Sequence, residues 1–207
     1  MLESLWERHP VGPMVTPGMY RVSLWTEAGG QVTPLAEPQS FEVVAWETST
    51  LPVQDRTEVL RFREKTWELH RRALAASEMT DEALERLSHM NKALLDTRSA
   101  PADLAPRLRA AELGLKKIKA QLEGDPVRAR LSEPSVPGVL ERIGHVVGND
   151  WDTTYGPTAT HRASLAVAEE ELREASAELD RLVETELREL DEALERAGAP
   201  WTPGRRP

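Results

Sequence analysis

The spacing of apolar positions changes once along the chain. Before residue 50 it has a period of two. In "YRVSLW", Tyr20, Val22 and Leu24 alternate with Arg21, Ser23 and Trp25, and in "SFEVVAW", Phe41 and Val43 alternate with Ser40 and Glu42. Both stretches predict strands. Between them, "TEAGGQVTPLAEPQS" offers Gly29-Gly30 for a turn and two prolines, Pro34 and Pro38, that suit edge positions. Two or three strands make a marginal sheet in water. This segment therefore needs something to pack on, either the helices that follow or strands from elsewhere.

From Leu51 the period becomes helical. Phe62, Thr66, Leu69, Ala73, Ala76, Thr80, Ala83, Leu87, Met90 and Leu94 keep a 4,3 spacing, and no Gly or Pro occurs from Val53 to Ala100. The pattern predicts one helix from about residue 53 to residue 97, roughly 65 Å long, with Pro52 near its start. After the turn "TRSAPAD", Leu104, Leu108, Ala111, Leu115, Ile118 and Leu122 repeat the spacing up to Gly124, a C-terminal stop. Pro106 falls in the first turn, where it is tolerated. A connection this short predicts that the second helix folds back antiparallel to the first.

"EGDPVRARLSEPSVPG" reads as a crossing loop. Ser135 is then expected to cap a shorter helix with Val139, Leu140, Ile143, Val147 and Trp151 as its apolar positions, ending at Gly148. In the last helix Leu165, Ala168, Leu172, Ala175, Leu179, Leu182, Val183, Leu187, Leu190, Leu194 and Ala197 line one side up to Gly198. The fold class expected is mainly α: an antiparallel bundle of three long helices plus one short helix, preceded by a small β hairpin or a partial immunoglobulin-like sheet. The corresponding divisions are residues 1–50 for the β segment, 51–198 for the bundle and 199–207 for a Pro/Gly-rich tail.

Composition narrows the function classes. Forty per cent hydrophobic residues in 207 suffice for a real core, and 5% aromatics suit Leu and Ala helix packing better than a β sandwich. Acids outnumber bases 35 to 26, a formal charge of −9, which disfavours a nucleic-acid partner. The charge is uneven. Residues 163–197 carry twelve acids against four arginines, whereas residues 104–131 hold seven basic residues against three acidic ones. Such polarity could help neighbouring helices choose each other, although solvated faces account for it more simply, since an exposed ion pair contributes about 0–1 kcal/mol. There is no cysteine, so disulfides, thiolate metal sites and thiol nucleophiles are excluded. No run approaches the roughly 20 apolar residues of a membrane span, and residues 1–20 lack the pattern of a signal peptide.

The densest cluster of chemically capable residues is "GNDWDTTYGPTATH", residues 148–161. As a corner between the third and fourth helices it explains itself. Gly148 ends one helix, Pro157 blocks its continuation, Thr158 caps the next with Thr160 and His161 in the first turn, and Trp151 plugs the end of the bundle. The catalytic alternative pairs Asp150 or Asp152 with His161 for acid/base work, but no nucleophile or oxyanion signature accompanies them. None of the five histidines has a Glu three residues before it, as di-iron bundles require. Glu85 with His89 and Glu141 with His145 are four apart, the spacing of ordinary helix-surface contacts. HExxH, GxSxG, P-loop and GxGxxG signatures are all absent. No catalytic, cofactor-binding or metal-ligating residue is assigned on this reading.

One resemblance covers nearly the whole chain. "GPMVTPGMYRVSLW", "VTPLAEPQSFEVV", "ALLDT", "SEPSVPGVLERIGHVVG", "PTATHR" and "AGAPWTPGRRP", in this order from Gly12 to Pro207, resemble the C-terminal region of large bacterial sortilin-like, BNR-repeat β-propeller proteins often labelled glycosyl hydrolase. The resemblance implies that propellers and a small immunoglobulin-like domain precede a helical tail, with Pro17, Gly18, Tyr20 and Val22 in the last strands of that β domain. It also implies that hydrolytic residues, if any, lie upstream, and that a full-length parent is exported. The expected role is then a non-catalytic C-terminal module that packs on the propeller portion or self-associates through exposed strand edges. A site around Asp150, Asp152 and His161 is one alternative. A helical adaptor that binds a basic partner through the acidic last helix is another.

Overall fold

The computed structural model describes residues 15–45, 55–150 and 155–203, with residues 149 and 150 as backbone only. Four strands come first: β1 (Gly18–Val22), β2 (Trp25–Ala28), β3 (Gln31–Pro34) and β4 (Gln39–Val43). The helices follow: α1 (Arg56–Leu95), α2 (Leu104–Glu123), α3 (Pro126–Arg130), α4 (Val139–Asp150), α5 (Ala159–Arg181) and α6 (Leu187–Arg196), the last two joined without a break by a π turn over Leu182–Glu186. The chain divides into two compact units, residues 1–65 with 148–157, and residues 66–147 with 158–207. The fold class is the expected one: long helices packed together, with a small antiparallel β hairpin at the N-terminal end.

Each helix forms where its seam positions recur, and the seams are what it buries. On α1, the predicted positions from Phe62 to Met90 are all buried, joined by Val59 and Ala93. On α2, the six predicted positions are buried without exception. Each large seam side chain contributes about 1.5–3 kcal/mol by leaving water. At the polar seam position Thr80 the backbone satisfies the side chain: its buried hydroxyl donates to the Ala76 carbonyl at 2.7 Å. The start of α1 is set by Asp55, whose Oδ1 accepts from the Thr57 amide at 2.8 Å. Pro52 lies outside the described residues.

The second unit is an antiparallel arrangement. Ser77 of α1 donates to Glu123 of α2 at 2.6 Å and Asp81 pairs with Lys119, so numbers rise on one helix as they fall on the other. In the same way, Gly114 of α2 faces Leu182 while Arg107 reaches Glu186 and Glu189. Arg86 of α1 pairs with Asp191 of α6, and Arg142 of α4 with Glu171 of α5 at 3.1 Å.

The π turn answers a feature of the sequence. From Leu165 to Leu182 the seam keeps the 4,3 spacing, but the next seam residue is Leu187, five positions on instead of four. One extra residue rotates a regular helix by about 100°. Widening one turn absorbs it, so Leu187, Leu190 and Leu194 return to the buried side and Val183 is left half-buried. Beyond α6, Gly198 adopts a left-handed φ of 68°. The Ala199 amide then bonds back to the Leu194 carbonyl at 3.0 Å, and Thr202 in the tail is buried.

Three expectations are corrected. The segment read as a crossing loop contains α3, capped by Asp125, whose Oδ1 accepts from the Val127 and Arg128 amides, with Pro126 at the first helical position. Ser135 does not cap α4. That helix starts at Val139, and the first intrahelical bond runs from the Arg142 amide to the Gly138 carbonyl at 3.0 Å. Its buried positions are Val139, Ile143 and Val146, with Val147 half-buried, and the helix passes Gly148 to end at Asp150.

Candidate functional site

The β segment is one hairpin carrying two ladders in tandem. Gly29 and Gly30, at φ of 60° and 78°, make the two-residue turn between Ala28 and Gln31, a conformation that requires positive φ at both positions. The inner ladder runs from that turn to Trp25↔Pro34, and the outer one from Val22↔Gln39 to Gly18↔Val43. Between the ladders Ser23 and Leu24 on the outgoing limb face the longer stretch from Leu35 to Pro38, a bulge on the returning limb. "TEAGGQVTPLAEPQS" thus contains β2, β3 and the start of β4 around the expected Gly29-Gly30 turn, one strand more than the two or three expected.

This hairpin leaves its apolar side chains in water. Tyr20, Val22, Phe41 and Val43 share one face by pairing and period, with the Tyr20 and Phe41 rings stacked at 6.0 Å and the Tyr20 hydroxyl donating to the Thr16 carbonyl at 2.7 Å. Yet Met19 is 70% exposed, Leu24 61%, Trp25 58%, Leu35 62% and Phe41 48%. Exposed apolar side chains on both faces of so small a hairpin mark a segment that something else covers.

The two outer edges of the hairpin are not equivalent. The Leu35 amide donates to the Leu24 carbonyl at 2.9 Å, so Leu24 and Leu35 form a hydrogen-bonded pair. The alternation of an antiparallel ladder then points the backbone nitrogens of the next pair, Trp25 and Pro34, away from each other. Proline at that place removes a donor from the outer edge of the returning limb. The outgoing limb from Gly18 to Ala28 contains no proline and keeps its outward donors.

The corner before α5 is half described. Thr158 caps α5 as expected, its hydroxyl oxygen accepting from the His161 amide at 3.1 Å. His161 is half-buried, and its ring meets that of His145 on α4 with centroids 6.1 Å apart and planes at 84°. The His161 Nδ1 is buried and has no hydrogen-bond partner. Asp152 and Trp151 lie outside the described residues, as does the side chain of Asp150, so neither the acid/base pairing nor the Trp plug acquires a geometry. Among the described residues no cluster of three or more His, Asp or Glu side chains could hold a metal ion.

The charged faces are largely paired with each other. Arg173 binds Glu170, Arg181 binds Glu178, and Arg109 and Lys116 both bind Glu112. Hydrogen bonds from these partners hold Glu170, Glu178 and Glu112 below the usual carboxylate range. Lys119 is held above its ordinary value by its bond with Asp81. The acidic last rod and the basic α2 are indeed neighbours, joined through Arg107 to Glu186 and Glu189. Glu85 and His89 approach to 4.0 Å on the surface of α1. No helix among the described residues is long and apolar enough to cross a membrane.

Compared with known proteins, the chain matches no family model, no curated protein and no solved structure.

Proposed function

We propose that this chain is a non-catalytic interaction module, in which the helical part is a scaffold and the β hairpin joins the β structure of a larger protein. The observation that carries the reading is the hairpin itself: two limbs bearing two ladders, apolar residues exposed along it, and one outer edge still furnished with donors. A two-stranded ribbon in water is marginal, and strand addition supplies both the missing backbone bonds and the missing cover. The partner supported best is the immunoglobulin-like and propeller portion of a sortilin-like, BNR-repeat protein, on the strength of the ordered motifs from Gly12 to Pro207. The acids of the last rod favour an adaptor role less, because Glu170, Glu178, Glu186 and Glu189 already have arginine partners.

The test is titration of the purified chain into the purified β portion of such a protein, with light scattering on each alone and on the mixture. A one-to-one complex that weakens on Val22→Lys or Phe41→Lys is expected. A chain that stays monomeric, binds no β portion and is indifferent to both substitutions overturns the proposal. A dimer sensitive to the same substitutions replaces the parent sheet by a second copy.

A further inference from the structure

We infer that the loop between α2 and α4 is a processing site, at which an arginine-selective endopeptidase hydrolyses the Arg130–Leu131 bond and leaves the two pieces assembled. The segment between Gly124 and Gly138 departs and returns at one point: a Cβ on Gly138 would stand 2.5 Å from the Gly124 nitrogen. It is therefore an Ω-loop with a pinched neck. Every residue from 126 to 137 is exposed, and α3 buries none of its side chains. Nowhere else among the described residues of the second unit do more than three exposed residues follow one another.

A protease takes its substrate in extended form, so a cut requires the residues on either side of the bond to leave their fold first. Within α1, α2, α5 or α6 that means stripping seam side chains from the core. Around Arg130 it means opening α3 alone, whose bonds are local: the Ala129 amide to the Asp125 carbonyl at 3.0 Å, and the Leu131 amide to the Val127 and Arg128 carbonyls at 3.1 Å. The turn that ends α3 also holds Ser132 at a left-handed φ of 54°, so straightening it relieves strain. Residues 133–137 are already outside any helix or strand.

The arginines decide which bond is chosen. Arg128 is tethered to the Asp125 carboxylate at 3.7 Å and to the Pro134 carbonyl at 3.5 Å. The Arg130 side chain makes no ion pair or hydrogen bond among the described residues, which leaves its guanidinium for a carboxylate in the enzyme's specificity pocket. The turn at Arg98 is the nearest rival. There Thr97 and Ala100 are half-buried, and the Thr97 hydroxyl donates to the Ala93 carbonyl at 2.7 Å.

Hydrolysis adds water across the amide: the C–N bond breaks, Arg130 keeps the new carboxylate and Leu131 the new ammonium. The pieces stay together because the core is shared between them. Leu182 of the later piece faces Gly114 of the earlier one, and the Arg86–Asp191 and Arg107–Glu189 pairs span the cut.

Limited digestion of the whole chain with trypsin, read by mass spectrometry and by size-exclusion chromatography with and without denaturant, tests both claims. Between residues 66 and 203 the first cut is expected after Arg130, giving pieces that co-elute in buffer and part in denaturant. Arg130→Gln should abolish that cut without changing helical circular dichroism, and Arg130→Lys should retain it. A first cut elsewhere in that range, after Arg98 or Arg128 included, overturns the assignment, and so does an Arg130→Gln chain still cleaved between 130 and 131. Pieces that elute apart in buffer overturn the claim that the cut chain stays assembled.

Discussion

Gly138 and Gly144 lie within two turns of each other at and inside the start of α4, and replacing each by alanine should move stability in opposite directions. A Cβ on Gly138 would stand 2.5 Å from the Gly124 nitrogen, 2.8 Å from the Glu123 carbonyl carbon and 2.9 Å from the Leu122 oxygen. Comfortable carbon contacts lie at about 3.5–4.0 Å. All three neighbours are backbone, so no side chain can swing aside, and the end of α2 must separate from the start of α4 by about an ångström. Overpacking of this kind costs about 1–3 kcal/mol, and alanine is also a poorer N-cap than glycine, so the total is about 2–4 kcal/mol. For a chain of this size that lowers the midpoint by about 5–15 °C. Gly144, by contrast, is an exposed helical residue with nothing within 4 Å of an added Cβ. There alanine gains about 0.8–1 kcal/mol of helix propensity. Thermal unfolding of Gly138→Ala, Gly144→Ala and the parent, read by helical circular dichroism, decides the matter. A Gly138→Ala protein as stable as the parent would refute the close approach of α2 and α4.

Three further outcomes are expected. Deleting Val183 from the π turn restores the four-residue step between Leu182 and Leu187, so the variant should fold with a continuous helix and a midpoint within about 4 °C of the parent. Inserting an alanine at the same place turns Leu187, Leu190 and Leu194 a further ~100° and should markedly destabilise the fold. If both variants behave alike in denaturant titrations, the register argument fails. Leu115→Ala, at a fully buried seam position of α2, should cost about 2–5 kcal/mol in urea unfolding, and a loss below 1 kcal/mol would place it outside the core. His70 is pushed below its ordinary value of 6.5 by burial, so the unfolded chain binds its proton more readily. Its contribution is therefore present above 6.5 and lost as the pH falls through the folded value. The denaturation midpoint should drop as the pH falls below about 6.5, and His70→Gln should flatten that part of the profile.

Much of the fold was legible because seam residues repeat. The 4,3 spacing from Phe62 to Met90 and from Leu104 to Leu122 marked the buried faces directly, and Gly29-Gly30 marked the hairpin turn. Two signals were present but passed over. Asp125-Pro126 is a cap followed by a first-turn proline, and it starts α3. The step of five between Leu182 and Leu187 announces the π turn. The tandem ladders were hidden because the Glu27, Val32 and Thr33 stretch lacks strong alternation, and its pairing was dictated by the turn it flanks.

What the sequence determined by itself is therefore local: which face of each helix seeks burial, where the caps fall and where the chain reverses. Periodicity and capping act over a few residues, and a one-dimensional pattern carries them whole. Only the tertiary structure decided the rest. It turned Pro34 outward on one edge of the hairpin, pressed Gly138 against the end of α2, and brought His145 to His161. Those are juxtapositions between segments, fixed by how far one seam slides along another before its side chains interlock, and no single stretch of sequence records that distance.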